Sequence, residues 1–67
     1  MKSLIKIPDM KTSEDVKKIK RAITNNEGII ACEISKDKGE VSIVFDDYFT
    51  NIDRIIEDIE ELGYTII

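Results

Sequence analysis

Histidine and tryptophan are absent from this chain of 67 residues, and cysteine and proline occur once each, as Cys32 and Pro8. Without histidine, imidazole ligation of a metal ion and histidine-based acid–base or nucleophilic catalysis are excluded. A single cysteine forms no internal disulfide, so a secreted scaffold held by disulfide bonds is excluded too. No apolar run approaches the roughly 20 residues of a membrane-spanning helix, and we expect no membrane insertion.

What the sequence does contain is a large apolar fraction, 42%, rich in isoleucine, beside 36% charged residues. Isoleucine favours strands and an ordered core over disorder. A chain of this length predicts a single domain over residues 1–67, which buries only about 60% of the surface of its unfolded form. The apolar run in residues 1–8 is too short for a signal peptide, so we expect a cytoplasmic protein.

Charge is divided unevenly along the chain. Residues 1–26 carry seven basic and three acidic side chains, whereas residues 27–67 carry three basic and eleven acidic ones. The net charge of −4 argues against nucleic acid as a partner, because phosphate binding needs a basic surface. A local cluster of basic residues nevertheless marks a candidate surface for docking a protein partner; it comprises Lys17, Lys18, Lys20 and Arg21. Faces of opposite sign also permit self-association.

Apolar periodicity in the first half predicts a strand, a helix and a second strand. Residues 3–7 alternate between two faces and stop at Pro8. Thr12 and Asp15 have the spacing of a capping box, and the apolar residues that follow recur at helical spacing up to residue 24. Residues 29–35 are rich in β-formers and place Cys32 on the inward face, between Ile30 and Ile34, where cysteine acts as a small hydrophobe.

The second half predicts a hairpin, a helix and a last strand. Residues 36–39 form the turn, and residues 41–45 alternate as a third strand. Thr50 and Asp53 predict a second capping box, and the apolar stripe that follows predicts a second helix. Gly63 predicts the end of that helix, and residues 64–67 predict a fourth strand. The order βαββαβ predicts an α+β, ferredoxin-like fold: a four-stranded antiparallel sheet with both helices on one face.

In order and spacing, the elements resemble the heavy-metal-associated domains of copper chaperones and of the N-terminal regions of metal-transporting P-type ATPases. The resemblance spans residues 3 to 66, and it implies the ferredoxin-like fold and a role in metal binding or metal transport. Its features are the strand Ile5-Lys6-Ile7 before a Met-containing loop, Glu27-Gly28-Ile29, Glu33-Ile34, the hairpin Lys38-Gly39-x-Val41, Asp46, and Ile59-Glu60-x-Leu62-Gly63-Tyr64.

The metal motif of the family, Gly-Met-x-Cys-x-x-Cys, aligns with the segment from Asp9 to Asp15. Met10 matches, but the two cysteine positions hold Thr12 and Asp15. Two thiolates make a soft site for Cu(I), and a hydroxyl with a carboxylate does not. The usual soft-metal site is therefore expected to be missing. The resemblance also implies that Met10 packs beneath the loop and that Tyr64 lies beside it.

Two functions from different classes follow. The first is a non-catalytic binding or regulatory module that docks a protein partner, such as a related metal-transport domain, and holds no cofactor. The second is a metal-binding or transport protein that takes a harder ion, or completes its site with ligands from a partner. Its candidate ligands are Asp9, Met10, Thr12, Glu14 and Asp15.

An enzyme is the weakest interpretation of the sequence. Acylphosphatase-type activity on a ferredoxin-like fold would need an arginine-bearing phosphate loop after the first strand. The loop here is acidic, and Lys11 is its one basic residue. Without histidine, a nucleophile–base pair would have to use lysine or carboxylates. We therefore expect no catalytic residues.

Overall fold

Five regular elements make up the computed structural model, which describes all residues from 1 to 67. In chain order they are β1 (Lys2–Lys6), α1 (Ser13–Thr24), β2 (Ile29–Ser35), β3 (Glu40–Phe45) and α2 (Ile52–Glu61). The strands form one antiparallel sheet in the order β1-β3-β2. This is the α+β, ferredoxin-like arrangement of two helices on a sheet, as the sequence predicts. Neither helix has the length and apolar character to cross a membrane.

The core lies between the sheet and the two helices. Alternate residues of the strands point into it, because successive side chains of a strand face opposite sides, and each helix adds an apolar stripe. A fully buried isoleucine of this kind stabilises the fold by about 1.5–3 kcal/mol relative to an exposed one. The buried apolar residues are Ile5, Ile7, Met10, Ile19, Ile23, Val41, Ile43, Phe45, Ile55 and Ile59.

The predicted fourth strand is the largest difference between the expected and the observed fold, since the sheet has three strands. The segment after α2 does run beside β1, where the Ile67 N–H donates to the Lys6 carbonyl at 3.1 Å. The Thr65 N–H donates instead to the Asp9 carboxylate, Oδ2, at 3.1 Å. A side chain thus takes a donor that a strand ladder would use, and this segment does not form a regular strand.

The inward face of β2 is shorter than predicted. The pairing of β2 with β3 slips between Ile29 and Ala31, which is the geometry of a β-bulge. The extra residue, Ile30, is 68% exposed. Beyond the bulge the alternation recovers, and Cys32 and Ile34 pack against the core as expected.

The start of α2 also differs from the prediction. Asn51, rather than Thr50, is the N-cap, and its side-chain oxygen accepts the Arg54 N–H at 2.9 Å. Thr50 is buried, and its hydroxyl has no hydrogen-bond partner. The predicted pairing of Thr50 with Asp53 is therefore wrong, because the threonine lies in the core and the next residue caps the helix.

Candidate functional site

Backbone hydrogen bonds anchor the loop between β1 and α1. The Ile7 N–H donates to the Gly39 carbonyl at 2.7 Å, and the Met10 N–H donates to the Ile7 carbonyl at 3.1 Å. Both side chains are buried, with Met10 only 1% exposed. The expected packing of Met10 beneath the loop is confirmed, and almost none of its side chain is accessible from the surface.

Thr12 and Asp15, the residues at the two cysteine positions of the motif, bind each other. The Thr12 hydroxyl oxygen accepts the Asp15 N–H at 3.1 Å, and Asp15 Oδ2 accepts the Thr12 N–H at 3.1 Å. Lys11 donates its N–H to the same carboxylate oxygen, also at 3.1 Å. The predicted capping box is thus present, and its carboxylate lies at the positive end of the α1 dipole.

The second oxygen of the Asp15 carboxylate is held from the other end of the chain. The Tyr64 hydroxyl donates to Asp15 Oδ1 at 2.5 Å. This bond, followed by those from the backbone of Lys11 and Thr12, holds the pKa of Asp15 well below its usual value. The same bond raises the pKa of Tyr64 to about 12, because ionising the phenol would remove the proton that it donates to Asp15; burial and the negative charge of Asp15 add to this effect.

The sequence predicts only part of this polar cluster. The resemblance implies that Tyr64 lies beside the loop, but the hydrogen bond from Tyr64 to Asp15 joins residues 49 positions apart, and no local sequence pattern indicates it. Nor does any pattern report the Thr65 bond to Asp9. The structure brings Asp15, Thr12 and Tyr64 together, ties Asp9 to the segment after α2, and leaves Glu14 exposed.

The donor set of the loop does not fit a soft metal ion. Thr12 and Asp15 offer only oxygen atoms, whereas a two-coordinate Cu(I) site is built from thiolates. The Asp15 oxygens already accept three hydrogen bonds. The structure contains no group of three or more His, Cys, Asp or Glu side chains placed to hold a metal ion.

Cys32 lies on β2, opposite Ile43 of β3, rather than in the loop. The thiol is half-buried against the core, and this burial raises its pKa, an effect that the charge of Lys20 partly opposes. A raised pKa disfavours the thiolate, which is the form that binds metal. These observations agree with the packing role that the sequence predicts for Cys32.

The basic residues proposed for docking lie on the surface of α1, and all four are exposed: Lys17, Lys18, Lys20 and Arg21. The neighbouring helix α2 carries the opposite charge, with Asp58 half-buried and the other acidic residues exposed: Asp53, Glu57, Glu60 and Glu61. Charged surfaces of this kind raise the rate of encounter with a complementary partner and fix its orientation.

Known proteins show the same architecture. The CopZ metallochaperone superposes with a TM-score of 0.94 over 100% of both chains at 19% identity. The solution structure of apo-CopP from Helicobacter pylori gives 0.89, also over 100% of both chains, at 25% identity. The periplasmic component of a mercuric transport protein from Salmonella typhi is 28% identical over 60 residues, 90% of this chain and 66% of that protein.

The family assignment comes from the sequence as a whole. The family model of the heavy-metal-associated domain matches residues 4–65, which include every helix and strand except the first two residues of β1. The similar proteins include a metallochaperone and the periplasmic component of a mercuric transport protein. The chain belongs to the heavy-metal-associated domain family.

Proposed function

We propose that this chain is a heavy-metal-associated domain without the thiolate metal site, acting as a non-catalytic binding or regulatory module that docks a protein partner through α1. The observation that carries the first half is the hydrogen bonding of Asp15. At the second cysteine position of the motif, its carboxylate accepts bonds from Lys11, Thr12 and Tyr64. The loop is built to cap a helix.

The chemistry of this loop supports the proposal. An ion entering between Thr12 and Asp15 would compete with the three hydrogen bonds that the carboxylate already accepts. In exchange, the ion would gain only oxygen ligands, which Cu(I) binds weakly. Hydrogen bonds to an ionised acceptor are about twice as strong as neutral ones, so the competition favours the existing contacts.

The docking half rests on the exposed cations of α1: Lys17, Lys18, Lys20 and Arg21. Such a surface suits an acidic face on a partner, and a related metal-transport domain is the partner that we propose. Reversing Lys17 and Arg21 to glutamate should weaken binding to an acidic domain of that kind at low salt. The effect should fade at high salt, where charges farther apart than about 3 Å are screened.

The cytoplasmic location stays a prediction of the sequence. The mercuric transport relative is by name a periplasmic component, so similarity to it does not decide the compartment. Cell fractionation with an antibody against this chain would decide the compartment.

The metal half is tested by restoring the motif. In a Cys32→Ser background, the Thr12→Cys/Asp15→Cys variant should retain about one Cu(I) against a chromophoric chelator, because two thiolates form the soft site again. The Cys32→Ser protein with its native loop should lose Cu(I) to the chelator. A Thr12→Ser/Asp15→Asn variant serves as the control, since it alters both positions without adding a thiolate.

Either of two results would overturn this half of the proposal. The first is Cu(I) retention by the native loop at the level of the double-cysteine variant. The second is a rise in Tm with stoichiometric Mn(II), Ca(II) or Zn(II) that Asp15→Asn removes, because it would assign the loop to a harder ion. Circular dichroism checks that each variant remains folded.

A further inference from the structure

The two helices lie side by side and run in opposite directions. Asn26, just after α1, donates from Nδ2 to Asp58 Oδ2 of α2 at 2.9 Å. Leu62, just after α2, shares a groove with Lys18 and Ala22 in the body of α1. Following α2 from residue 58 to 62 thus means moving backwards along α1. The layer covering the sheet has a basic half, α1, and an acidic half, α2, in antiparallel alignment; Arg54 is the one exposed cation of the acidic half.

The charged residues of both helices lie on the side away from the core. In α1 the buried residues are Ile19 and Ile23, and helical spacing places Lys17 and Arg21 on the opposite side. In α2 the buried residues are Ile55 and Ile59, which places Glu57 and Glu61 outward in the same way. All four charged side chains are exposed: Lys17, Arg21, Glu57 and Glu61.

The charges of the two helices are complementary to those of a second copy under one symmetry operation. A two-fold axis that runs parallel to the helices, above the groove between them, stacks a second copy on the first. It sets α1 of each copy over α2 of the other, antiparallel. A two-fold axis perpendicular to the helices would instead stack α1 on α1. Only the first operation pairs each basic face with an acidic face, and it does so twice.

We propose that the helical layer is the contact surface of a closed dimer of this chain, in which α1 of each copy packs on α2 of the other. The inference rests on the docking role proposed above for α1, and it names a second copy as the occupant of that face. Both complementary charges are carried by this one chain, in adjacent halves of one flat layer. A closed contact uses both halves and leaves no charged face open for a third copy.

The groove between the helices offers a small apolar contact at Ala22 and Leu62. The groove between the helices has a volume of about 440 Å³ and is lined by Lys18, Arg21, Ala22, Asn25 and Leu62. Leu62 is 47% exposed. Because the two-fold axis passes above this groove, Leu62 would face Leu62 of the partner subunit. An apolar centre with a charged rim is the usual anatomy of a protein interface.

Charge reversal tests the dimer. By sedimentation equilibrium at low salt, the native chain should reach dimer and stop there, with a dissociation constant that rises with salt. Lys17→Glu/Arg21→Glu makes both helices acidic, whereas Glu57→Lys/Glu61→Lys places basic side chains on the outward positions of both helices and leaves α2 without net charge. Each variant alone should dimerise at least tenfold more weakly, because like charges would face each other. An equimolar mixture should recover a dimer, now containing one copy of each variant.

The control matched to Lys17→Glu/Arg21→Glu is Lys36→Glu/Lys38→Glu, which makes the same change of net charge in the hairpin between β2 and β3. It should dimerise as the native chain does. The proposal is overturned if the native chain stays monomeric at about 1 mM, if the mixture does not recover the dimer, or if assemblies grow beyond two copies.

The dimer and the docking proposal fail in different ways. A monomeric chain whose binding to an acidic metal-transport domain still depends on Lys17 and Arg21 refutes the dimer and keeps the docking role. A monomeric chain that also shows no such dependence refutes both.

Discussion

The two helices start with the same sequence signature and use it differently. A threonine followed three residues later by an aspartate precedes both α1 and α2. Before α1, Thr12 and Asp15 form a complete capping box. Before α2, Thr50 is buried with an unpartnered hydroxyl, and Asn51 caps the helix alone.

Burial explains the difference. Thr12 is exposed in a loop, where its hydroxyl is free to accept the N–H of Asp15. Thr50 lies at the end of a turn whose backbone folds onto Asp46, with the Phe49 N–H donating to the Asp46 carbonyl at 3.1 Å. That turn places Thr50 in the core, and the cap moves one residue along. A capping pattern therefore names candidates, and the tertiary structure selects among them.

The largest expected effect comes from two glycines, one packed against the turn before α2 and one directly after α2. Gly28 packs under the turn before α2: its φ is +85°, and an added Cβ would lie 2.8 Å from the Phe49 Cβ. Gly63, next to the segment that holds the α1 loop, has a φ of +98° and open space around it. Gly28→Ala should lower the free energy of unfolding by about 3 kcal/mol, from backbone strain plus overpacking, and Gly63→Ala by about 1 kcal/mol from strain alone.

Urea denaturation of both glycine variants measures this contrast. Equal losses of stability would show that the turn before α2 shifts to accommodate the added Cβ without an energetic cost.

One substitution made at both threonines should have opposite effects. Thr12→Val removes a capping oxygen and should destabilise the fold by about 1 kcal/mol. Thr50→Val removes a buried hydroxyl that has no partner, and should stabilise it by about 1 kcal/mol. The sign of the change in Tm is the measurement. Destabilisation by Thr50→Val would mean that the hydroxyl has a partner after all.

The smallest expected effect is on the pH dependence of stability, through the hydrogen bond between Tyr64 and Asp15 at the start of α1. Asp15 has a lowered pKa, so its contribution to stability is present above its usual value of 3.8 and is lost as the pH falls below it. Tyr64 has a raised pKa, so its contribution is present below pH 10 and is lost as the pH rises through about 12. Tyr64→Phe should therefore flatten the stability profile at both ends.

Thermal melts at about pH 3, 7 and 11 would record this profile. Tyr48→Phe is the control, because Tyr48 is 85% exposed on the turn before α2. An unchanged acid and alkaline slope in Tyr64→Phe would contradict the assigned bond to Asp15.

The features that the sequence predicted correctly are periodic or local. The isoleucine stripes located both helices and three strands, and the capping box at Thr12 was visible from spacing alone. What escaped prediction depends on distant contacts or on one extra residue. Ile30 is exposed because β2 slips by one position against β3. The predicted fourth strand does not form, because the Asp9 carboxylate accepts the N–H of Thr65, a residue 56 positions away in the sequence.

The candidate site divides in the same way. The absence of both motif cysteines follows directly from the amino-acid sequence, and the burial of Met10 follows from the family resemblance. The sequence could not show that the substituted residues would form a closed polar cluster. The cluster forms only when Tyr64 contacts Asp15. These two residues are too far apart in the sequence for a local pattern to predict their contact.

The bonds between the segment after α2 and the loop before α1 also have a consequence for how the molecule folds. Tyr64 and Thr65 reach residues 49 and 56 positions earlier, so these contacts form only after nearly the whole chain has closed on itself. Closing such a long span is entropically costly and is rewarded late, whereas the α1 capping box forms within four residues. The loop that the family uses for metal would thus acquire its helical cap early and its tyrosine bond last, and local opening would release them in the reverse order.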